Sequence, residues 1–265
     1  MSKKRWLIGG VVVLGAAAVV MIVPRSRHYM LGTLRGEATL NGKYVSQWVD
    51  ELANEDEEKR REAVNTLGNL GAPARSALPD LVRVMREDSE VRVRCMASHA
   101  IDKIASDVMR HGEHATEALD GLIAGVQDEV PLVRMNCASG LRWLGTDARK
   151  AAPELVAGIK RRENERRELW FTMTIREQMI LTLGCIGSDG PEALDLLEES
   201  LRDDEESVRD TAARALGKLG PDAKHAVPLL VKTANNPREP NTVRHSAREA
   251  IGVIDPETAA KLDKN

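Results

Sequence analysis

The sequence predicts an all-α fold: an α-solenoid of about six stacked helix pairs, spanning 44–265, after an N-terminal transmembrane helix. Three observations carry this: a thirteen-residue segment that recurs six times, an apolar composition poor in aromatics, and an uncharged run near the amino end. The segment is "VRDTAARALGKLG" from Val208. Its counterparts are "KRREAVNTLGNLG" from Lys59, "VRCMASHAIDKIA" from Val93, "VRMNCASGLRWLG" from Val133, "IREQMILTLGCIG" from Ile175 and "VRHSAREAIGVID" from Val243. Each has an arginine at its second place: Arg60, Arg94, Arg134, Arg176, Arg209 and Arg244. The steps between them are 34, 40, 42, 33 and 35 residues. Periods of this length mark an array of supersecondary units, none of which can bury its apolar face alone.

Composition agrees with stacking. Phe, Trp and Tyr make up only 3 % of the 265 residues. A single deep core needs large side chains, whereas thin Ala/Leu/Val seams suffice between neighbouring helix pairs. The net charge of −3 hides a division: six of the 38 basic residues lie in 1–35, which hold no acid, so 36–265 carry an acid excess of nine. A duplex binder shows the reverse balance, so nucleic acid is not expected as a partner. Cys95, Cys137 and Cys185 are too widely spaced for a zinc knuckle or a redox CxxC, and all fall within the repeated segments, where a free thiol packs as a small hydrophobe.

The amino end is a separate object. Residues 1–5 form a basic flank, and 6–23, "WLIGGVVVLGAAAVVMIV", are uncharged. As a helix this run reaches about 27 Å, close to the ~30 Å hydrocarbon core of a bilayer. It exceeds the ~7–15 residues of a signal-peptide core and ends in "MIVPRSR", without a small-x-small cleavage site, so it reads as a retained signal anchor. Lys3, Lys4 and Arg5 outweigh Arg25 and Arg27, which points to a single-pass membrane protein with a cytoplasmic amino terminus and extracytoplasmic repeats. Residues 24–43, interrupted by Gly32, Gly36 and Gly42, read as a juxtamembrane connector.

Within a repeat, apolar letters at places one, five, six, eight, nine and twelve have helical spacing with a broad buried stripe. The closing glycines, Gly71, Gly145, Gly187 and Gly220, suit a left-handed C-terminal cap. Pro79, Pro153 and Pro228 then open the next helix, where a missing N–H costs nothing. Each unit therefore reads as a helix A opened by proline, a tight turn, and a helix B opened by Val-Arg. Asn54, Asp88, Asp128 and Asp203 each stand six residues before a repeat arginine, where an acid or amide caps the turn and pairs with arginines of its own or the next unit. The fourth and sixth units depart, with Trp170 and Arg238 at that place. Six copies of the arginine, four of them with this partner, suit architecture, whereas an active site needs one, so the arginines are read as structural.

The motifs "LGAPARSALPDLVRVMREDSEVRVRCMA" (67–97) and "LGPDAKHAVPLLV" (219–231) resemble the HEAT repeat family, in particular its short bacterial HEAT-like branch of phycobilisome-lyase-type repeats. The lead-in "NGKYVSQWVDELANED" (41–56) resembles that of membrane-anchored members, with Trp48 as packing anchor. The resemblance implies a right-handed α-solenoid of about six HEAT-like helix pairs, helix A outside and helix B lining the concave side. Longer connections interrupt it at 106–118, 160–174 and 235–241.

On this pattern, places three, four, seven and eleven of helix B face outward on the concave side. In the middle units these places are unusually apolar. They suggest a groove formed by Met96, His99, Met135, Asn136, Trp143, Gln178 and Leu181 that accepts a partner segment, because contiguous exposed apolar surface marks partner sites; the competing reading is that the longer connections, or a tilt of these helices, bury those residues. The basic cluster Lys160, Arg161, Arg162, Arg166 and Arg167 alternates with acids and reads as a solvated helix end. No phosphate loop, nucleophile elbow or zinc motif occurs, and His111, Glu113 and His114 lack the further ligands a metal needs. No catalytic residue, metal or cofactor is expected. The sequence reads as a membrane-anchored, non-catalytic scaffold for protein–protein interaction with an unnamed protein partner. The alternative is an accessory subunit of a membrane or envelope enzyme complex with a lyase-like or modification-related role.

Overall fold

The computed structural model describes residues 36–161, 164 and 172–262. It begins with a two-stranded antiparallel hairpin, β1 (Thr39–Leu40) and β2 (Lys43–Tyr44), where a connector was expected. Asn41 and Gly42 join the strands with φ of 52° and 74°, the two positive values that a type I′ turn requires. Helix α1 (Val45–Glu51) follows directly. Trp48 fastens hairpin to helix: its indole is buried, its Nε1 donates to the Leu40 carbonyl at 3.1 Å, and Lys43 Nζ lies 4.4 Å from the ring centre.

Helices then alternate in two layers. Each A helix precedes its B helix: α1 with α2 (Glu57–Leu70), α3 (Leu78–Glu87) with α4 (Val91–Arg110), α5 (Leu119–Gly125) with α6 (Pro131–Leu144), α7 (Ala152–Ile159) with α8 (Ile175–Ile186), α9 (Glu192–Ser200) with α10 (Glu206–Leu219), and α11 (Val227–Asn235) with α12 (Asn241–Ile254). The short α13 (Pro256–Leu262) has no buried residue and ends the stack. Successive B helices pack on one another far more extensively than successive A helices do. In a curved stack the tighter layer is the inner arc, so the B helices form the concave side. The core is a continuous seam of Ala, Leu, Val and Ile between the layers.

The closing glycines have φ of 55–73° but ψ of −137° to −171°, not the left-handed helical cap expected of them. That mirror-extended region is open essentially to glycine alone. It turns the chain into the short 3-10 segments 72–77, 145–151 and 220–226, and Pro79, Pro153 and Pro228 open the A helices that follow. Gly71 is constrained twice, because an added Cβ would also meet Asp107 Oδ2 at 2.3 Å. That carboxylate accepts the Ala72 N–H at 2.7 Å. Asp107 is available because α4 runs on to Arg110, so 106–110 are helical rather than a loop. The rest of that insertion is pinned by Arg75, which bonds Glu113, Glu117 and the His114 carbonyl.

The expected placement as a single-pass membrane protein needs correction. No helix among the described residues is long and apolar enough to cross a membrane. The run 6–23 and the flank 1–5 lie outside the described residues, as do most of 160–174 and of the basic cluster within it. The chain is therefore assigned neither a signal anchor nor a membrane orientation.

Candidate functional site

The six repeat arginines lie along the turns between A and B helices, and the first five act as rungs between units. Arg60 donates from Nη1 to the Asn54 and Glu55 carbonyls, both at 3.0 Å, and from Nε and Nη2 to the Asp88 carboxylate at 2.8 and 3.0 Å. Arg134 grips the Asp128 and Glu129 carbonyls at 2.8 and 3.0 Å and Asn164 Oδ1 at 2.8 Å. Arg209 does the same with the Asp203 and Asp204 carbonyls and with Glu239. Arg94 reaches the Asp88 carbonyl and Glu129, and Arg176 pairs with Asp203 at 2.7 Å. Each thus ties its own turn or the preceding helix start to the acid or amide of the next unit. Arg244, in the last pair, bonds Asn241 within its own helix.

The acids serve two ends. Asp88 Oδ1 also accepts the Glu90 N–H, and Asn54, Asp128, Asp203 and Asn236 accept N–H groups two residues on in the same way. This is the side-chain turn that Asn and Asp favour. Burial pushes the Asp88 carboxyl up, but the Arg60 guanidinium and the Glu90 N–H outweigh it and hold it below the usual carboxylate range. In units four and six, whose sequences lack the acid or amide six residues before the arginine, Asn164 and Glu239 take the arginines of the preceding units.

The concave face carries an open groove of about 530 Å³ across α2, α4 and α6. Val64, Met96, Ala100 and Leu132 give it an apolar lining, with Asn65, Asn69 and Asn136 as polar points and Arg92, His99 and Lys103 toward water. Gly68 and Ala100, which carry little or no side chain, form part of its wall, and the two helices meet there so closely that a Cβ on Gly68 would lie 2.9 Å from that of Ala100. Lys103 Nζ donates to Asn69 Oδ1 at 2.7 Å across the same joint.

Of the seven groove residues expected from the sequence, the structure brings together Met96, His99 and Asn136 in this groove. The other four are placed differently. Met135 and Leu181 are 7 % and 6 % exposed, and Gln178 is 6 % exposed. Their places point toward neighbouring B helices, which flank the middle units on both sides. Gln178 Nε2 donates to Thr182, whose hydroxyl donates to the Ala138 carbonyl at 2.8 Å. Asn136 is itself mostly buried and spends its Nδ2 on Ser98 Oγ at 2.9 Å. Trp143 is half-buried, and its Nε1 donates to Asp102 Oδ1 at 3.0 Å.

Asp102 and Arg142 are features of this face that periodicity alone does not reveal. They occupy the tenth place of their repeats, where the other four have Gly68, Gly184, Gly217 and Gly252. That substitution is visible in the aligned repeats and marks units two and three as unlike the rest. Burial raises the Asp102 carboxyl above its usual range, partly offset by hydrogen bonds from Ser139 and Trp143 and by His99 and Arg142. The Arg142 guanidinium lies 4.6 Å from the Trp143 ring centre.

The three thiols lie on α4, α6 and α8, and burial pushes each of them up, so none has thiolate character. His114 Nδ1 lies 2.9 Å from the Leu144 carbonyl and 3.0 Å from Asp147. No three His, Cys, Asp or Glu side chains among the described residues converge as a metal site.

Known proteins place this geometry. A sequence model of HEAT repeats matches residues 45–111 and 173–252, together more than half of the chain. No curated protein matches the chain. Among solved structures, a designed armadillo repeat protein in complex with the peptide (KR)4 is similar with a TM-score of 0.61 at 18% identity, over 80% of this chain and 99% of that one. The complex of CpcE and CpcF of phycocyanin lyase from Nostoc sp. PCC7120 is similar with a TM-score of 0.54 at 22% identity, over 86% and 84%. At these identities the structures speak for the fold, and the sequence match for the family. The chain belongs to the HEAT repeat family.

Proposed function

We propose that the protein is a non-catalytic scaffold that holds a segment of a protein partner in the groove across α2, α4 and α6. The observation that carries this is the groove itself: an apolar hollow on the inner arc, with the Met96 side chain half-buried in its wall and His99 exposed beside it. Exposed apolar surface of this kind marks interaction sites, and methionine adapts to irregular partners. The rungs of arginine and the close helix joints supply rigidity, so little ordering is lost on binding. Armadillo-like neighbours that carry a peptide support the reading by analogy of fold.

A second reading, an accessory subunit of an enzyme complex with a lyase-like or modification-related role, draws on the likeness to the CpcE and CpcF complex. The two are separated by affinity capture with the wild-type chain and a Met96→Asp variant side by side, read by quantitative mass spectrometry and absorbance. The scaffold reading expects a protein component that the variant loses several-fold while its helical circular dichroism is unchanged. A bound chromophore or small substrate, retained by both, would favour the accessory reading.

A further inference from the structure

The groove's charge is opposite to that of the chain around it. Residues 36–265 carry an acid excess of nine, yet the charged side chains lining the groove are Arg92 and Lys103, and no carboxylate lines it. Glu62 on α2 and Asp102 on α4 do not line it; Asp102 accepts hydrogen bonds from Trp143 and Ser139 instead. Arg92 is exposed and has no partner among the described residues. Lys103 gives one hydrogen bond to Asn69, which steadies an ammonium that has three to give.

The two cations stand at opposite ends of a diagonal. Lys103 lies with Asn69 near the carboxyl end of α2, whereas Arg92 lies with Leu132 and Asn136 near the amino ends of α4 and α6. Eleven residues of helix at ~1.5 Å each separate them by about 16 Å along α4. An extended chain covers that in about five residues. Between them lie Val64, Met96 and Ala100, an apolar seat without charge. Carboxamides accompany it: Asn65 is exposed, and Asn136, its Nδ2 bonded to Ser98, keeps Oδ1 without a partner among the described residues. A carboxamide offers the donor and acceptor that a peptide bond needs.

Resting on the scaffold reading, we propose that the occupant is an extended acidic peptide segment. One aliphatic side chain sits against Val64 and Met96, and two carboxylates about five residues apart meet Arg92 and Lys103. The basic rim inside an acidic solenoid makes this selective, because basic segments are drawn to the rest of the surface and repelled at the groove.

Random dodecapeptides displayed on phage, selected on the immobilised full chain, test this. The enriched peptides are expected to carry two Asp or Glu about five positions apart around an aliphatic residue. As free peptides they should bind wild type at least tenfold more tightly than an Arg92→Glu/Lys103→Glu variant, with affinity falling as salt rises. The milder Arg92→Gln/Lys103→Gln pair guards against misfolding and should lose a smaller part of the affinity. Enriched neutral or basic peptides that Met96→Asp abolishes would overturn the acidic assignment and leave the groove reading standing. No enrichment, or peptides indifferent to Met96→Asp, would overturn both.

Discussion

The same repeat arginine has different energetic weight from one unit to the next, because burial differs. Arg134 is 2 % exposed and its guanidinium satisfies two backbone carbonyls and the buried Asn164 amide. Arg134→Ala strands these groups without water, and is expected to destabilise the fold by about 3 kcal/mol in urea titration. Arg94 reaches one backbone carbonyl, that of Asp88, and pairs with Glu129, which is 83% exposed; its removal should cost less, about 1 to 2 kcal/mol. Equal losses at the two positions would contradict this ranking. Asp102 gives the chain a pH dependence of opposite sign to that of a salt-bridged acid. Its raised pKa means that the folded chain keeps the proton to higher pH than the unfolded chain does. The contribution to stability is complete below the unfolded value, about 3.9, and is lost as pH rises through the folded one. Wild type should therefore lose stability relative to Asp102→Asn on going from pH 4 toward neutrality, measured as the difference in urea midpoints.

At the scale of helices, register between units is set by how near two B helices can come. An added Cβ on Gly184 would lie 2.5 Å from the Ala215 backbone, whereas Gly252 has nothing within 4 Å. Gly184→Ala is expected to cost about 1–3 kcal/mol as α8 and α10 are forced apart. Gly252→Ala should be stabilising by about 0.5 kcal/mol, since alanine loses less freedom in a helix. Thermal melts of the two variants check the contrast. Much of this layer was legible from the letters: the helix pairs, the proline openings and the order of A before B follow from periodicity. The hairpin at 39–44 was legible too, in Asn41-Gly42, but three scattered glycines made the stretch read as a tether. What single-helix periodicity could not supply was which outward places a neighbour covers. Met135, Gln178 and Leu181 are polar-face positions of an isolated helix and buried positions of a stacked one. The glycine caps show the same gap: glycine signalled the stop, but not the mirror-extended backbone that turns the chain into a 3-10 segment.

At the scale of the molecule, the protein is a row of near-copies, and the proposed groove lies where the copies differ. The rungs at the turns and the Ala/Leu seam repeat along the stack, and such arrays draw stability from nearest neighbours. Units two and three depart from the rule, with Asp102 and Arg142 in place of glycine, an apolar Met96 facing outward and a hollow between α2, α4 and α6. The partner itself is written in no single residue, so the groove was only partly visible beforehand, as Met96, His99 and Asn136. The central claim is that this groove, rather than the outer layer, holds the partner. It is tested most directly by placing a photo-reactive amino acid at His99, and separately at exposed Arg83 on α3, and identifying adducts in cells by mass spectrometry. One recurrent protein adduct at position 99, absent at 83 and lost when Met96→Asp is added, is the predicted result. Adducts that are equal at both positions, or that persist with Met96→Asp, would contradict it.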